Sequence, residues 1–223
     1  MKFIIIKLLL LACLPSSATA QAKDNETDGF QLLRGEKELN VEMGFSPIQP
    51  TFLSGRKEYD TSGRKLLATS FHFGRVIGTK RGVTYEYMFE VSPFAVALNN
   101  EVRNKDFVSA TQTPNISPTK RRTSYGAGFQ PAVFKFTFMP KKRVKPFARV
   151  GAGMIFFNDN FPTSDATKYN FTGEFGGGVQ FHTSRKRALN VGYKYFHISN
   201  FNTSRANPGY NANVVYVGYS LFR

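Results

Sequence analysis

The sequence predicts an all-β protein, an eight-stranded antiparallel up-and-down transmembrane β-barrel over residues 38–223. Three observations predict it. About eight segments alternate apolar and polar residues with a period of two, and helical periodicity is almost absent. The links between those segments alternate short and long, as in barrels with tight turns at one end and loops at the other. The chain also opens on the pattern of an export signal.

Taken in order, Lys2 and Lys7 flank the apolar run Phe3-Ile4-Ile5-Ile6, which continues from Leu8 to Cys13. Ala18-Thr19-Ala20 follows as a small-residue cleavage site, so residues 1–20 read as a secretory signal peptide too short to span a bilayer. A second reading takes Leu10-Leu11-Ala12-Cys13 as a lipoprotein cleavage box, with Cys13 lipidated. Cutting after Ala20 removes the single cysteine, so an oxidising compartment offers the mature chain no disulfide framework. Residues 21–37 read as a flexible N-terminal segment. The formal charge of +15 falls by only two when Lys2 and Lys7 leave. Such a surplus favours anionic partners, and for an exported chain phosphate-bearing lipid fits where nucleic acid does not.

The clearest strand is 168–182. Tyr169, Phe171, Gly173, Phe175, Gly177, Val179 and Phe181 share one face; Lys168, Asn170, Thr172, Glu174, Gln180 and His182 share the other. It is far longer than the usual ~5–6 residues. The same rule marks 38–46, 84–92 and 145–157, with 66–77, 124–139, 187–199 and 212–222 as less regular members. Pro131 lacks a backbone donor, which predicts a bulge within 124–139.

The composition of the two faces separates a soluble barrel from a transmembrane one. One face is built from Phe, Tyr and aliphatic residues, a surface suited to lipid. The other carries Glu42, Glu86, Glu90, Lys135, Arg149, Glu174 and Lys194 among glycines, acids and bases able to pair inside a narrow lumen. His72 and His182 belong to this face as lumen filler. The short links are 78–83, 140–144 and 183–186, and the long or medium ones are 47–65, 98–123, 158–167 and 200–211. Without tryptophan, Tyr and Phe must form the interfacial girdles. The basic runs Lys120-Arg121-Arg122, Lys141-Lys142-Arg143 and Arg185-Lys186-Arg187 read as solvated strand connections. Paired His/Cys metal spacing and Gly-rich phosphate loops are both missing, so neither metal nor cofactor is expected.

Strand 187–199 climbs from a short turn towards the loop end. Leu189, Val191, Tyr193 and Tyr195 are its outward residues, and His197 and Ser199 share their parity. On 212–222 the outward residues are Val215, Val217, Tyr219 and Leu221, and Asn211 extends that set. A His, a Ser and an Asn therefore converge on the lipid-facing side at the loop end. Polar groups there are costly within hydrocarbon and point to function, whereas just above the hydrocarbon they are cheap. Both placements stay open on parity alone.

The segment His197-Ile198-Ser199-Asn200, a short spacer and then Asn207-Pro208-Gly209-Tyr210-Asn211 resembles the C-terminal signature of the lipid A 3-O-deacylase family of outer-membrane barrels. The resemblance covers residues 193–222. It implies a metal-independent esterase in a Gram-negative outer membrane, its site facing the outer leaflet. The enzyme would remove the 3-O-linked hydroxyacyl chain from lipid A of lipopolysaccharide. By the same resemblance Ser199 is the nucleophile, His197 the general base and Asn207 an oxyanion donor, with Asn200 and Gly209 in the surrounding turn. Asn211 stands where the family's pattern places a glutamate to orient the histidine. An amide can fix the tautomer but stabilises the imidazolium less than a carboxylate, which implies either a slow hydrolase or an inactive relative. The other reading is a non-catalytic small outer-membrane barrel with a structural or surface-binding role.

Overall fold

The computed structural model describes residues 28–47, 64–98, 122–162, 166–204, 207 and 209–223. The expected signal peptide, Lys120-Arg121, and Arg205, Ala206 and Pro208 of the signature lie outside the described residues. Eight strands follow in chain order: β1 (Lys37–Ser46), β2 (Lys65–Lys80), β3 (Val83–Leu98), β4 (Ser124–Phe138), β5 (Val144–Phe161), β6 (Thr167–Ser184), β7 (Arg187–Ser199) and β8 (Tyr210–Phe222). Each pairs antiparallel with its neighbour, and β1 pairs with β8 from Glu38↔Phe222 to Phe45↔Val215, closing the barrel. Closure leaves no edge, so every strand can satisfy its peptide groups where water is absent.

Strand ends follow the expected turns closely; β7 begins and ends where its alternation does. Departures occur where alternation breaks. β3 runs on past Ser92 through a register shift before Ala95, where Pro93 withholds a donor. Pro131 sits in a second irregularity, between Gln130 and Val133 against β3 and between Phe129 and Ala132 against β5. Its carbonyl accepts the Tyr87 hydroxyl.

The outer surface is an apolar belt of residues such as Val41, Phe73, Phe134, Phe175, Val191 and Val217, all exposed. Cross-strand aromatic pairs stiffen it, among them Tyr85 with Phe136 and Tyr87 with Phe134, with ring centroids 5.8 and 5.7 Å apart. In water such a surface would aggregate; in a bilayer it is the solvated face. The fold is a transmembrane barrel.

The seven charged residues assigned to the lumen are all buried. Arg149 holds Glu42 in a two-pronged pair at 2.9 and 3.0 Å and places Nε 3.0 Å from Glu174. Lys194 reaches Glu174 at 2.7 Å and Glu42 at 3.4 Å. Lower down, Lys135 bridges Glu38 at 2.7 Å and Glu86 at 3.4 Å. His72 spans Asn40 and Glu90, and His182 lies against Gln180. Gly192 makes room for this filling: a Cβ there would strike the Tyr216 ring, which crosses it on its way to Arg149.

The two ends of the lumen are closed differently. At the turn end, residues 28–36, from the expected N-terminal segment, put Leu32 against Val76, Ala188 and Phe222, and Phe30 against His182. Phe222, the near-terminal aromatic, points inward and stacks on His182 at 5.1 Å. At the loop end the lumen departs from the polar filling expected throughout. Leu66, Ala97, Ile155, Phe157, Phe161, Phe196, Ile198, Tyr210 and Val214 form an apolar core there. In that upper section the alternation is inverted, apolar inside.

Arg149 separates two buried carboxylates, so its loss leaves them uncompensated. Arg149→Met is expected to lower unfolding stability by about 3–5 kcal/mol. Urea titration of the barrel in lipid vesicles, read by the gel-mobility difference between folded and unfolded forms, measures it. A loss under about 1 kcal/mol would remove the network from the account of stability.

Candidate active site

Of the six residues singled out in the sequence, His197 and Ser199 top β7, Asn211 stands at the start of β8, and Asn200, Asn207 and Gly209 belong to the connection between them. His197 and Asn211 are direct cross-strand partners, and His197 Nδ1 lies 2.6 Å from Asn211 Oδ1. An amide oxygen only accepts, so the bond requires the proton on Nδ1 and leaves the Nε2 lone pair available as a base. Gly209 backs onto the ring: its φ is +65°, and a Cβ would meet His197 Cε1 at 3.4 Å. Any other residue there would meet both constraints.

Ser199 ends β7 and shares the parity of His197. Its hydroxyl donates to Asn207 Oδ1 at 3.1 Å and accepts the Phe201 N–H at 3.2 Å. No hydrogen bond joins Ser199 to His197, so a proton transfer between them requires the Ser199 side chain to turn from Asn207. Asn207 Oδ1 also accepts the Asn200 N–H at 3.1 Å, while its NH₂ donates to Asn202 Oδ1 at 3.2 Å. The backbone donor from Asn200 fixes which end of the amide faces Ser199. It is the oxygen.

A tight turn holds this arrangement. Phe201 and Asn202 have φ of +56° and +61°, and the Thr203 N–H donates to the Asn200 carbonyl at 3.0 Å. Consecutive positive φ values match a type I′ turn, where glycine is cheapest and Phe is unusual. Phe201 is the most exposed large apolar residue described, at 74%, and its ring packs edge-on against Phe171 with centroids 5.3 Å apart. Asn200 is buried; its Oδ1 accepts the Asn202 N–H at 3.0 Å, and its carbonyl takes the Thr203 hydroxyl at 2.7 Å.

The inverted section gives this rim a packed backing. Inward-facing Phe196, Ile198, Tyr210 and Ala212 belong to the buried apolar core. Their outward neighbours in sequence are His197, Ser199, Asn211 and Asn213. Asn213 accepts the Tyr193 hydroxyl. The polar side chains thus stand on a packed apolar backing, and Glu174, committed to Lys194 and Arg149 in the lumen, is unavailable to them.

Sequence reading missed the ground beside the histidine. Gly173 pairs with His197 and, on its other side, with Ala152; a Cβ on Gly173 would meet nothing within 4 Å. The gap opens a surface groove of about 400 Å³ lined by Val150, Gly173, Phe175, Tyr195 and His197. The signal was present in the strand: in the outward row, small Gly173 stands between Phe171 and Phe175.

Replacing Asn211 by Leu takes the acceptor from His197 Nδ1. Nitrogen NMR of ¹⁵N-histidine-labelled protein is expected to find His197 as the Nδ1–H tautomer in the original chain and a mixture of tautomers in Asn211→Leu. Identical spectra would deny Asn211 its orienting role.

Residues 95–220 match the family model described as lipid A 3-O-deacylase (PagL). No curated protein matches the chain. Among solved structures, the chain is similar to the outer membrane enzyme PagL at 14% identity and a TM-score of 0.49, covering 82% of this chain and 98% of that one. Neisserial surface protein A is similar at 13% identity and a TM-score of 0.47, covering 84% and 96%. The attachment invasion locus protein Ail of Yersinia pestis follows at 11% identity and a TM-score of 0.42, covering 86% and 100%.

Proposed function

The chain belongs to the lipid A 3-O-deacylase family, and we propose that it is an outer-membrane esterase that removes the 3-O-linked hydroxyacyl chain from lipid A. The observation that carries this reading is the 2.6 Å bond from His197 Nδ1 to Asn211 Oδ1 on the face that holds Ser199. It poises an imidazole as a base beside a hydroxyl, at the lipid-facing rim of a barrel. The loop end then faces the outer leaflet of a Gram-negative cell. A substrate acyl chain would lie along the groove at Gly173, whose walls are apolar.

In this reading Ser199 swings from Asn207 to His197, and Oγ attacks the ester carbonyl as Nε2 takes its proton. The tetrahedral oxyanion meets the Phe201 N–H, which Ser199 Oγ releases as it turns; the Asn207 NH₂ joins it only after that amide gives up its bonds to the Asn200 N–H and Asn202 Oδ1 and turns over. Collapse breaks the ester C–O bond, and the sugar oxygen leaves with the proton from Nε2. Water, activated by the same nitrogen, frees the fatty acid and restores Ser199. Asn211 keeps the ring in the working tautomer without a countercharge for the imidazolium, so turnover is slow.

Expression in a host with fully acylated lipid A is expected to shorten that lipid by one hydroxyacyl group in its mass spectrum. Ser199→Ala should leave the lipid intact while the barrel stays folded and heat-modifiable. Asn211→Glu should raise the rate about tenfold or more, because it supplies the missing charge. An unaltered lipid A profile from the surface-assembled original chain would replace this reading with the non-catalytic barrel.

A further inference from the structure

The opposite rim carries a second arrangement that the esterase reading does not use. Lys37 of β1 pairs directly with Arg75 of β2. On its other side it exchanges two backbone hydrogen bonds with Arg223, at 2.8 and 2.9 Å. All three side chains are exposed and share the outward face. Directly opposed residues on neighbouring strands stand about 4.5–5.5 Å apart at Cβ, and like charges so placed repel. Three cations in a row therefore need an anion.

Among the described residues, no acidic side chain at the neighbouring positions supplies one, and the Arg223 backbone oxygen is taken by the Lys37 N–H. Glu36 is held by Arg185 at 2.6 and 3.0 Å. Glu38 points into the lumen, where it accepts from Lys135, Gln180 and Ser220. Immediately above the cations the surface becomes apolar: a depression of about 240 Å³ is lined by Lys37, Leu39, Phe73, Leu221 and Arg223. Positive charge at the base of an apolar hollow on a membrane-facing surface matches one chemistry, an anionic headgroup attached to hydrocarbon.

The basic turns nearby are built otherwise. Arg185 already has its carboxylate, and Arg143 donates to the His182 carbonyl at 2.9 Å. Lys142 lies in the β4–β5 turn, beyond the strand ends. Lys37 and Arg75 instead sit on strand faces, and Arg223, one residue past the end of β8, continues that outward face through its ladder bonds to Lys37, beside the edge of the apolar belt.

We propose that Lys37, Arg223 and Arg75 form a binding site for an anionic glycerophospholipid, its phosphate between the cations and its acyl chain over Leu39, Phe73 and Leu221. The site lies at the turn end, the leaflet opposite the Ser199 rim. It requires only the transmembrane barrel and stands or falls separately from the esterase reading. Each cation at a membrane surface contributes about a fivefold gain in affinity for anionic lipid.

Purified barrel in neutral detergent, titrated with dioleoylphosphatidylglycerol, dioleoylphosphatidylcholine and inorganic phosphate, tests this by native mass spectrometry. Phosphatidylglycerol is expected to bind at least tenfold more tightly than phosphatidylcholine, and inorganic phosphate not to compete at equal concentration. Lys37→Gln combined with Arg223→Gln should weaken phosphatidylglycerol about 25-fold, and Lys142→Gln should leave it unchanged. Equal binding of the two lipids by the original chain overturns the proposal without recourse to any variant. Effective competition by phosphate, or undiminished binding in the double variant, overturns it as well.

Discussion

Everything in this molecule depends on closing the hydrogen-bonded ladder between β1 and β8. In hydrocarbon each unpaired peptide group costs several kcal/mol, so an open sheet would not survive there. Closing with only eight strands leaves a lumen so narrow that side chains must fill it. The filling is charged because alternation leaves the inward positions to the residues unfit for lipid. Arg149, Lys194 and Lys135 each serve two of four glutamates, and a fifth, Glu90, is held by Ser70, His72 and Gln130. A network of this kind contributes little net stability against a hydrophobic alternative, yet losing one member strands a buried charge.

The site depends on a local reversal of that pattern. Through most of β7 and β8 apolar side chains face lipid, but at the loop end they turn inward and build a core around Ile198 and Tyr210. The outward positions then fall to His197, Ser199, Asn211 and Asn213. Polar groups at this height need partners, and each has one within the same rim: Asn211 for His197, Asn207 for Ser199, Tyr193 for Asn213. The apolar core stands behind the strand-borne His197, Ser199 and Asn211, while Asn207 comes from the connecting loop. Strain is concentrated instead in the turn, at Phe201 and Asn202, whose positive φ values hold Ser199 against Asn207.

Charge is distributed along the barrel axis as deliberately as apolarity is around it. The lumen is paired, the loop-end rim is mostly amide and hydroxyl, and Lys37, Arg75 and Arg223, without an acidic side-chain partner among the described residues, gather on the outward face of the turn end. A membrane has two headgroup layers, and the barrel presents a different chemistry to each.

The sequence by itself determined the architecture. Period-two alternation assigned all eight strands and the seven lumenal charges, because the side-chain direction on a strand is a matter of parity alone. Parity also brought His197, Ser199 and Asn211 to one face, and Pro131 announced its bulge. Strand ends at Leu98 and Phe161 were hidden, since bulges near Pro93 and after Phe156 interrupt the pattern that marks them. Only the tertiary structure decided that the upper lumen is apolar, that Asn207 turns its oxygen to Ser199, that Gly173 opens a groove beside the histidine and that Lys37 lies between two arginines. Each of these depends on which residues the ladder register sets opposite one another, and register is a property of paired strands that no single strand contains.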